Sequence, residues 1–201
     1  MAICNSYLGA AWRLSAAIAF AAFATAAPGV TPAVALEPYT QTGQPFWMID
    51  EVRAGAFKQA IDDAEHGGAA ALNLEVLGGR FGGGYEDSIL NFFLTPRPHL
   101  GTTVAFGKTD EFYWGLTWDA KLTDRAFVEG SFGGAAHDGP LDTPGEASYG
   151  CTVNFRESAS LGFSLSADWR LLATVDHMSN GGLCNPNRGL TNAGVRLGYR
   201  W

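Results

Sequence analysis

A chain of 201 residues has room for one domain with a full core, and nothing in its composition asks for a second. With 26 glycines, 12% aromatic and only 16% charged residues, it suits many short strands joined by tight turns far better than a soluble helical fold. The formal charge of -7, with no run of Lys and Arg, excludes a nucleic-acid footprint.

At the N-terminus, Arg13 precedes an apolar stretch from Leu14 to Ala27, followed by small residues that end in Ala33-Val34-Ala35. This is the layout of a secretory signal peptide over residues 1–35, with cleavage expected after Ala35 and an earlier alternative after Ala26. A membrane anchor is the competing reading, but the run is short for a spanning helix and is interrupted by Pro28 and Pro32. Export removes Cys4 and leaves Cys151 and Cys184 in an oxidising compartment, where one disulfide is permitted. Two cysteines so far apart do not make a zinc site.

Residues 36–201 hold no segment long and apolar enough to cross a membrane as a helix, so a membrane-spanning form must be a closed barrel. The pattern agrees. Phe112, Trp114, Leu116, Trp118, Ala120 and Leu122 alternate with Tyr113, Gly115, Thr117, Asp119 and Lys121, a period of two with one very apolar face. The same code predicts strands at 48–58, 70–78, 99–107, 112–122, 126–137, 151–165, 169–179 and 190–201. The fold class is therefore all-β, an eight-stranded antiparallel transmembrane β-barrel of the outer-membrane type. Short links at 123–125 and 166–168 alternate with longer ones at 59–69, 138–150 and 180–189, while the link 79–98 is long where a tight turn is expected.

Glu51, Arg53, Glu75, Asp119, Lys121, Glu129, Arg156, Arg170, Asp176, Arg196 and Arg200 fall on the polar faces. Facing lipid, each would cost a few kcal/mol, so they are expected to point inwards and pair, plugging the lumen. A soluble lipocalin-like barrel would invert the pattern. The last strand decides between them. Val195, Leu197, Tyr199 and Trp201 end on an aromatic at the final residue, which resembles the assembly signal of bacterial outer-membrane proteins.

The strand 169–179 carries the residues of chemical interest. It sets Leu171, Ala173, Val175, His177 and Ser179 on one face, and the three aliphatics make that face the lipid side. Asp176 then points inwards. A turn centred on Ala167 puts Glu157 opposite His177 and Phe155 opposite Ser179, and brings Cys151 beside Leu183 and Cys184, within reach of a disulfide. Glu157 is the odd residue on a face that otherwise reads Cys151, Val153, Phe155, Ala159, Leu161, Phe163, and a carboxylate there needs a partner such as His177. Taken alone, His177 also reads as an interfacial histidine, and Ser179-Asn180-Gly181-Gly182 as a turn opener.

The run Val175 to Leu190 narrows this. His177, Ser179, Asn180, Gly182, Leu183, Pro186, Asn187 and Gly189 stand in an order that resembles the lipid A 3-O-deacylase (PagL) family, eight-stranded outer-membrane barrels with a His-x-Ser-Asn motif. The resemblance implies an esterase of the bacterial outer membrane, without cofactor or metal, that removes the hydroxyacyl chain ester-linked at position 3 of lipid A. It implies Ser179 as nucleophile and His177 as base, with Asn180, Gly182 and Asn187 on the oxyanion and substrate side. Where the family has its Glu, this chain has Thr191, which cannot stabilise an imidazolium as a carboxylate does. Glu157 is the expected replacement. A barrel with weak or no catalysis and a structural or adhesive role is the alternative, and the short, glycine-rich loops disfavour adhesion. The partners expected are lipopolysaccharide and the outer membrane, with no nucleic acid; oligomeric state is left open, with a homodimer among the options. In the first long link, Asp62, Asp63 and Glu65 are candidates for meeting divalent ions that bridge lipopolysaccharide phosphates, and His66 and His137-Asp138 read as solvated loop residues.

Overall fold

The computed structural model describes residues 45–62, 68–82 and 88–201, all within the compact unit Val34–Trp201. The expected signal peptide and its cleavage sites, together with Asp63, Glu65 and His66, lie outside the described residues. Eight strands form one closed antiparallel barrel in chain order: β1 (Ile49–Lys58), β2 (Ala70–Gly78), β3 (Arg97–Ala105), β4 (Glu111–Lys121), β5 (Ala126–His137), β6 (Val153–Ser164), β7 (Trp169–Ser179) and β8 (Leu190–Arg200). Pairing of β1 with β8, from Glu51↔Arg200 to Lys58↔Ala193, closes the ring. Closure leaves no strand edge with unpaired backbone groups, which a hydrocarbon environment does not tolerate.

Two boundaries shift from expectation for local reasons. β3 stops at Ala105 because the Ala105 amide donates to Asp110 Oδ1 (2.8 Å) and Gly107 turns the chain at φ 77°. β6 starts at Val153, since Cys151 is drawn off into a disulfide. The unexpectedly long link between β2 and β3 contains a short helix, α1 (Ser88–Leu94). The Trp118 indole on the outer wall donates to Phe93 O (3.1 Å), so α1 lies against that wall at the end opposite the 180–189 loop.

Alternation sorts the side chains into two environments. Leu72, Leu74, Leu100, Phe112, Phe132, Leu161, Leu171, Val175 and Val195 are exposed on the outer wall, whereas Glu51, Arg53, Asp119, Asp176 and Arg196 are at most 1% exposed inside. The lumen is filled by paired charge. Arg53 binds Glu129 through two bonds of 2.7 Å and also reaches Glu51 (2.7 Å) and Glu75 (3.1 Å). Arg97 joins Asp50 and Glu51, Arg196 joins Glu75, and Arg156 joins Asp176 while its guanidinium lies 3.7 Å from the Tyr113 ring centre. Such charges tolerate burial because each is set against an opposite charge. Of the residues expected inside, Lys121 sits at the rim, 42% exposed and paired with Asp124.

Candidate active site

β7 runs from a tight turn at 165–168 to the long loop 180–189. Its outward residues are Trp169, Leu171, Ala173 and Val175, all exposed, and then the half-buried pair His177 and Ser179 at the loop end. An apolar strand wall therefore gives way to polar side chains at the loop end. The register with β6 sets Glu157 opposite His177 and Phe155 opposite Ser179, and that with β8 sets Thr191 opposite His177.

His177 is held on the β8 side. Its Nδ1 lies 2.8 Å from Thr191 Oγ1. Gly189, one turn of the loop away, lies so close to the imidazole that a Cβ there would overlap the ring. Glu157 is the residue of β6 paired directly with His177. Among the described residues, however, the hydrogen bond of the imidazole goes to Thr191 and not to Glu157.

Thr191 has a further partner that sequence reading did not connect to the site. Its hydroxyl donates to Asp62 Oδ2 (2.6 Å) and its amide to Asp62 Oδ1 (3.3 Å). The chain just beyond β1 is drawn onto β8 by a third bond, from the Ile61 amide to Thr191 O (3.0 Å). Asp62, expected as a contact for divalent ions, is thus turned onto Thr191. Among the described residues no group of three or more potential metal ligands is assembled.

The 180–189 loop is organised around Asn180, which is 1% exposed. Asn180 Nδ2 donates to Tyr149 O (2.8 Å) and Pro186 O (3.0 Å), and Oδ1 accepts from the Gly182 and Cys184 amides (2.8 and 3.4 Å). The Asn180 amide itself donates to Asn187 Oδ1 (3.0 Å). Gly181 and Gly182 take φ of 63° and 85°, which a side chain would resist, and so allow the loop to fold back on that amide. A disulfide from Cys151 to Cys184, with Cα atoms 5.5 Å apart, ties this loop to the 138–152 loop. His137 belongs to the same structure. It is buried, with Nε2 2.8 Å from Cys151 O and its ring edge-on to Tyr149, a correction to its reading as a solvated loop residue.

These bonds engage the Asn180 and Gly182 amides within the loop and so act on the shape of the site. Asn187 gives only its Oδ1 to the loop. Beside Phe155, a groove of about 420 Å³ opens on the outer wall, lined by Trp114, Phe132, Gly134, Val153, Phe155 and Leu183. Gly134 leaves its floor to the Trp114 ring, which a Cβ would press at 3.0 Å. A larger cleft of about 520 Å³ lies at the opposite end, among Lys121, Arg125, Arg170 and Arg200, and no histidine lines it to activate its serines.

A family model described as lipid A 3-O-deacylase (PagL) matches residues 29–200. Among solved structures, that of the outer membrane enzyme PagL superposes with a TM-score of 0.58 at 16% identity, covering 75% of this chain and 99% of that one. The N-terminal β-barrel domain of Pseudomonas aeruginosa OprF (TM-score 0.47, 11% identity, 75% and 98% covered) and Neisserial surface protein A (0.46, 10%, 76% and 96%) are also similar. No curated protein sequence matches the chain.

Proposed function

The chain belongs to the lipid A 3-O-deacylase family, and on that footing we propose that it is a serine esterase of the bacterial outer membrane, acting on the hydroxyacyl chain ester-linked at position 3 of lipid A. One observation carries the reading: His177 and Ser179 stand side by side on the lipid-facing wall of β7, at the loop end, with the Nδ1 side of the imidazole already bonded and the ring backed by Gly189.

Each step follows from groups already in place. With Nδ1 turned to Thr191, Nε2 is the nitrogen left to take the Ser179 proton as Oγ bonds to the ester carbonyl carbon. Asn187 Nδ2, not engaged by the loop, is the side-chain donor available to the developing oxyanion. Collapse of the tetrahedral adduct breaks the ester bond, and the departing sugar oxygen takes the proton from Nε2 to leave as a hydroxyl. Water, activated by the same nitrogen, then releases the acyl group as its acid. The apolar groove beside Phe155 suits the acyl chain: it begins on the strand position opposite Ser179 and is walled by aromatic and aliphatic side chains. Glu157, paired with His177 across the β6–β7 ladder, is the carboxyl group on the flank away from Thr191, and when ionised it would favour the imidazolium formed during attack.

Mass spectrometry of lipid A from cells with and without the protein tests the reading. The expected result is loss of one hydroxyacyl chain with the wild type and none with Ser179→Ala, while heat-modifiable migration of the barrel is unchanged in both. An unaltered lipid A spectrum at high expression of folded wild type would sink it.

A further inference from the structure

We propose that Asp62 supplies the carboxylate of this site, acting through the Thr191 hydroxyl to fix which nitrogen of His177 carries its proton. Asp62 is a positioning residue that does not touch the substrate. The catalytic consequence rests on the esterase reading above; the hydrogen-bond direction does not.

The direction follows from counting protons. An ionised carboxylate accepts and cannot donate. Asp62 faces two donors of Thr191 at once, the amide at Oδ1 and the hydroxyl at Oδ2. The hydroxyl has a single proton, and at 2.6 Å that proton goes to Asp62. Thr191 Oγ1 can then only accept from His177 Nδ1, 2.8 Å away, so Nδ1 carries the hydrogen and Nε2 presents its lone pair. Remove the carboxylate and the hydroxyl is free to donate to Nδ1 instead. The proton would then sit on Nε2, where the imidazole cannot act as a base towards Ser179. During attack the chain Nδ1–H, Oγ1–H, carboxylate also carries stabilising charge towards the imidazolium, since aligned hydrogen bonds polarise one another.

The backbone is arranged to deliver this contact. Ala60 adopts φ 55°, a left-handed conformation that a residue with a Cβ rarely takes. That bend folds Ile61 and Asp62 back onto β8, past the last β1–β8 pair at Lys58↔Ala193, and the Ile61 amide bond to Thr191 O secures it. Thr191 occupies the β8 position directly paired with His177, from which a Glu could bond Nδ1 itself. Here a hydroxyl stands at that position and the acid reaches it from the first loop.

The test uses the full-length protein in detergent micelles, with purified lipopolysaccharide as substrate. Asp62→Asn should lower kcat on the order of 10- to 100-fold, less than the ~10⁴-fold that follows loss of a directly bonded triad acid, with KM within about twofold. An amide cannot accept from both Thr191 donors, so Asn is a severe change at constant shape. Thr191→Val should match it, the double variant should be no worse than either single one, and Thr191→Ser should recover most of the loss because it keeps the hydroxyl. Thr191→Glu combined with Asp62→Asn should restore kcat, since the acid then bonds His177 directly. Independently of turnover, ¹⁵N spectra of histidine-labelled protein at about pH 9, where imidazoles are neutral, should show the Nδ1–H form of His177 in the wild type and a shift towards Nε2–H in Asp62→Asn. The His177 signal is assigned by difference from His177→Gln. An unchanged kcat in Asp62→Asn where Ser179→Ala is inactive would overturn the relay alone, as would a tautomer indifferent to Asp62. A Ser179→Ala protein as active as wild type would instead overturn the esterase reading, and the spectra would still decide the relay.

Discussion

Asp176 and His177 are adjacent in β7 and live in opposite worlds. Asp176 points into the lumen, where Arg156 and Asn192 hold it at 2.9 Å each and no solvent reaches it. His177 points to the outer wall, where one hydrogen bond fixes its orientation and the rest of the ring is left for chemistry. Inside the barrel ionisable groups are paired with opposite charge, as Arg53 is with three glutamates; outside, they are held only far enough to aim them. The inner set sustains the barrel and the outer set can act.

Substitutions can break that division or sharpen it, and the largest effect belongs to the lumen. Arg53→Met leaves Glu51, Glu75 and Glu129 without their shared guanidinium, and loss of one member of a buried network costs about 3–5 kcal/mol. Urea unfolding in micelles should therefore shift to markedly lower midpoint, with turnover per folded molecule retained; a fall in kcat without a fall in stability would contradict the division. Next comes the weld between loops. Replacing Cys151 and Cys184 by Ser removes the cross-link over 33 positions and should lower stability by about 2–4 kcal/mol, read from the same unfolding curves, with kcat falling in step as the 180–189 loop loosens. On the outer wall, Gly189→Ala pushes a methyl group into the His177 ring and should reduce kcat about tenfold, roughly 1.4 kcal/mol, without moving the unfolding midpoint. Glu157→Gln is expected to be the mildest, about threefold in kcat or less than 1 kcal/mol, because among the described residues the imidazole hydrogen bond goes to Thr191 and not to Glu157. A loss as deep as that of Asp62→Asn would reassign the acid to Glu157.

Much of this architecture is legible in the chain because a lipid-facing barrel repeats one rule. Period-two alternation marks the strands, and a tight turn at Ala167 fixes the β6–β7 register, so that Glu157 opposite His177 can be read from numbers alone. The helix α1 is harder. Ile89, Leu90, Phe93 and Leu94 do have helical spacing, but seven residues between a glycine run and Pro96 give too short a window to separate a helix from an irregular link. The bonding of Asn180 is not legible, because a buried side-chain amide that satisfies four loop groups has the same sequence as an exposed one. Asp62 is invisible for a topological reason. It lies 129 positions from Thr191, and only the pairing of the first strand with the last brings the two together.

That seam has a consequence for when the protein can work. The carboxylate comes from just after β1 and the hydroxyl and imidazole from the final two strands, so the constellation exists only once the two ends of the sheet have met. On the proposed esterase reading, a polypeptide still in transit, however many strands it has formed, holds its histidine unaimed and is inert towards any acyl ester it encounters. Hydrolytic competence would then come only with completed insertion, conferred by the same joint that turns a sheet into a ring.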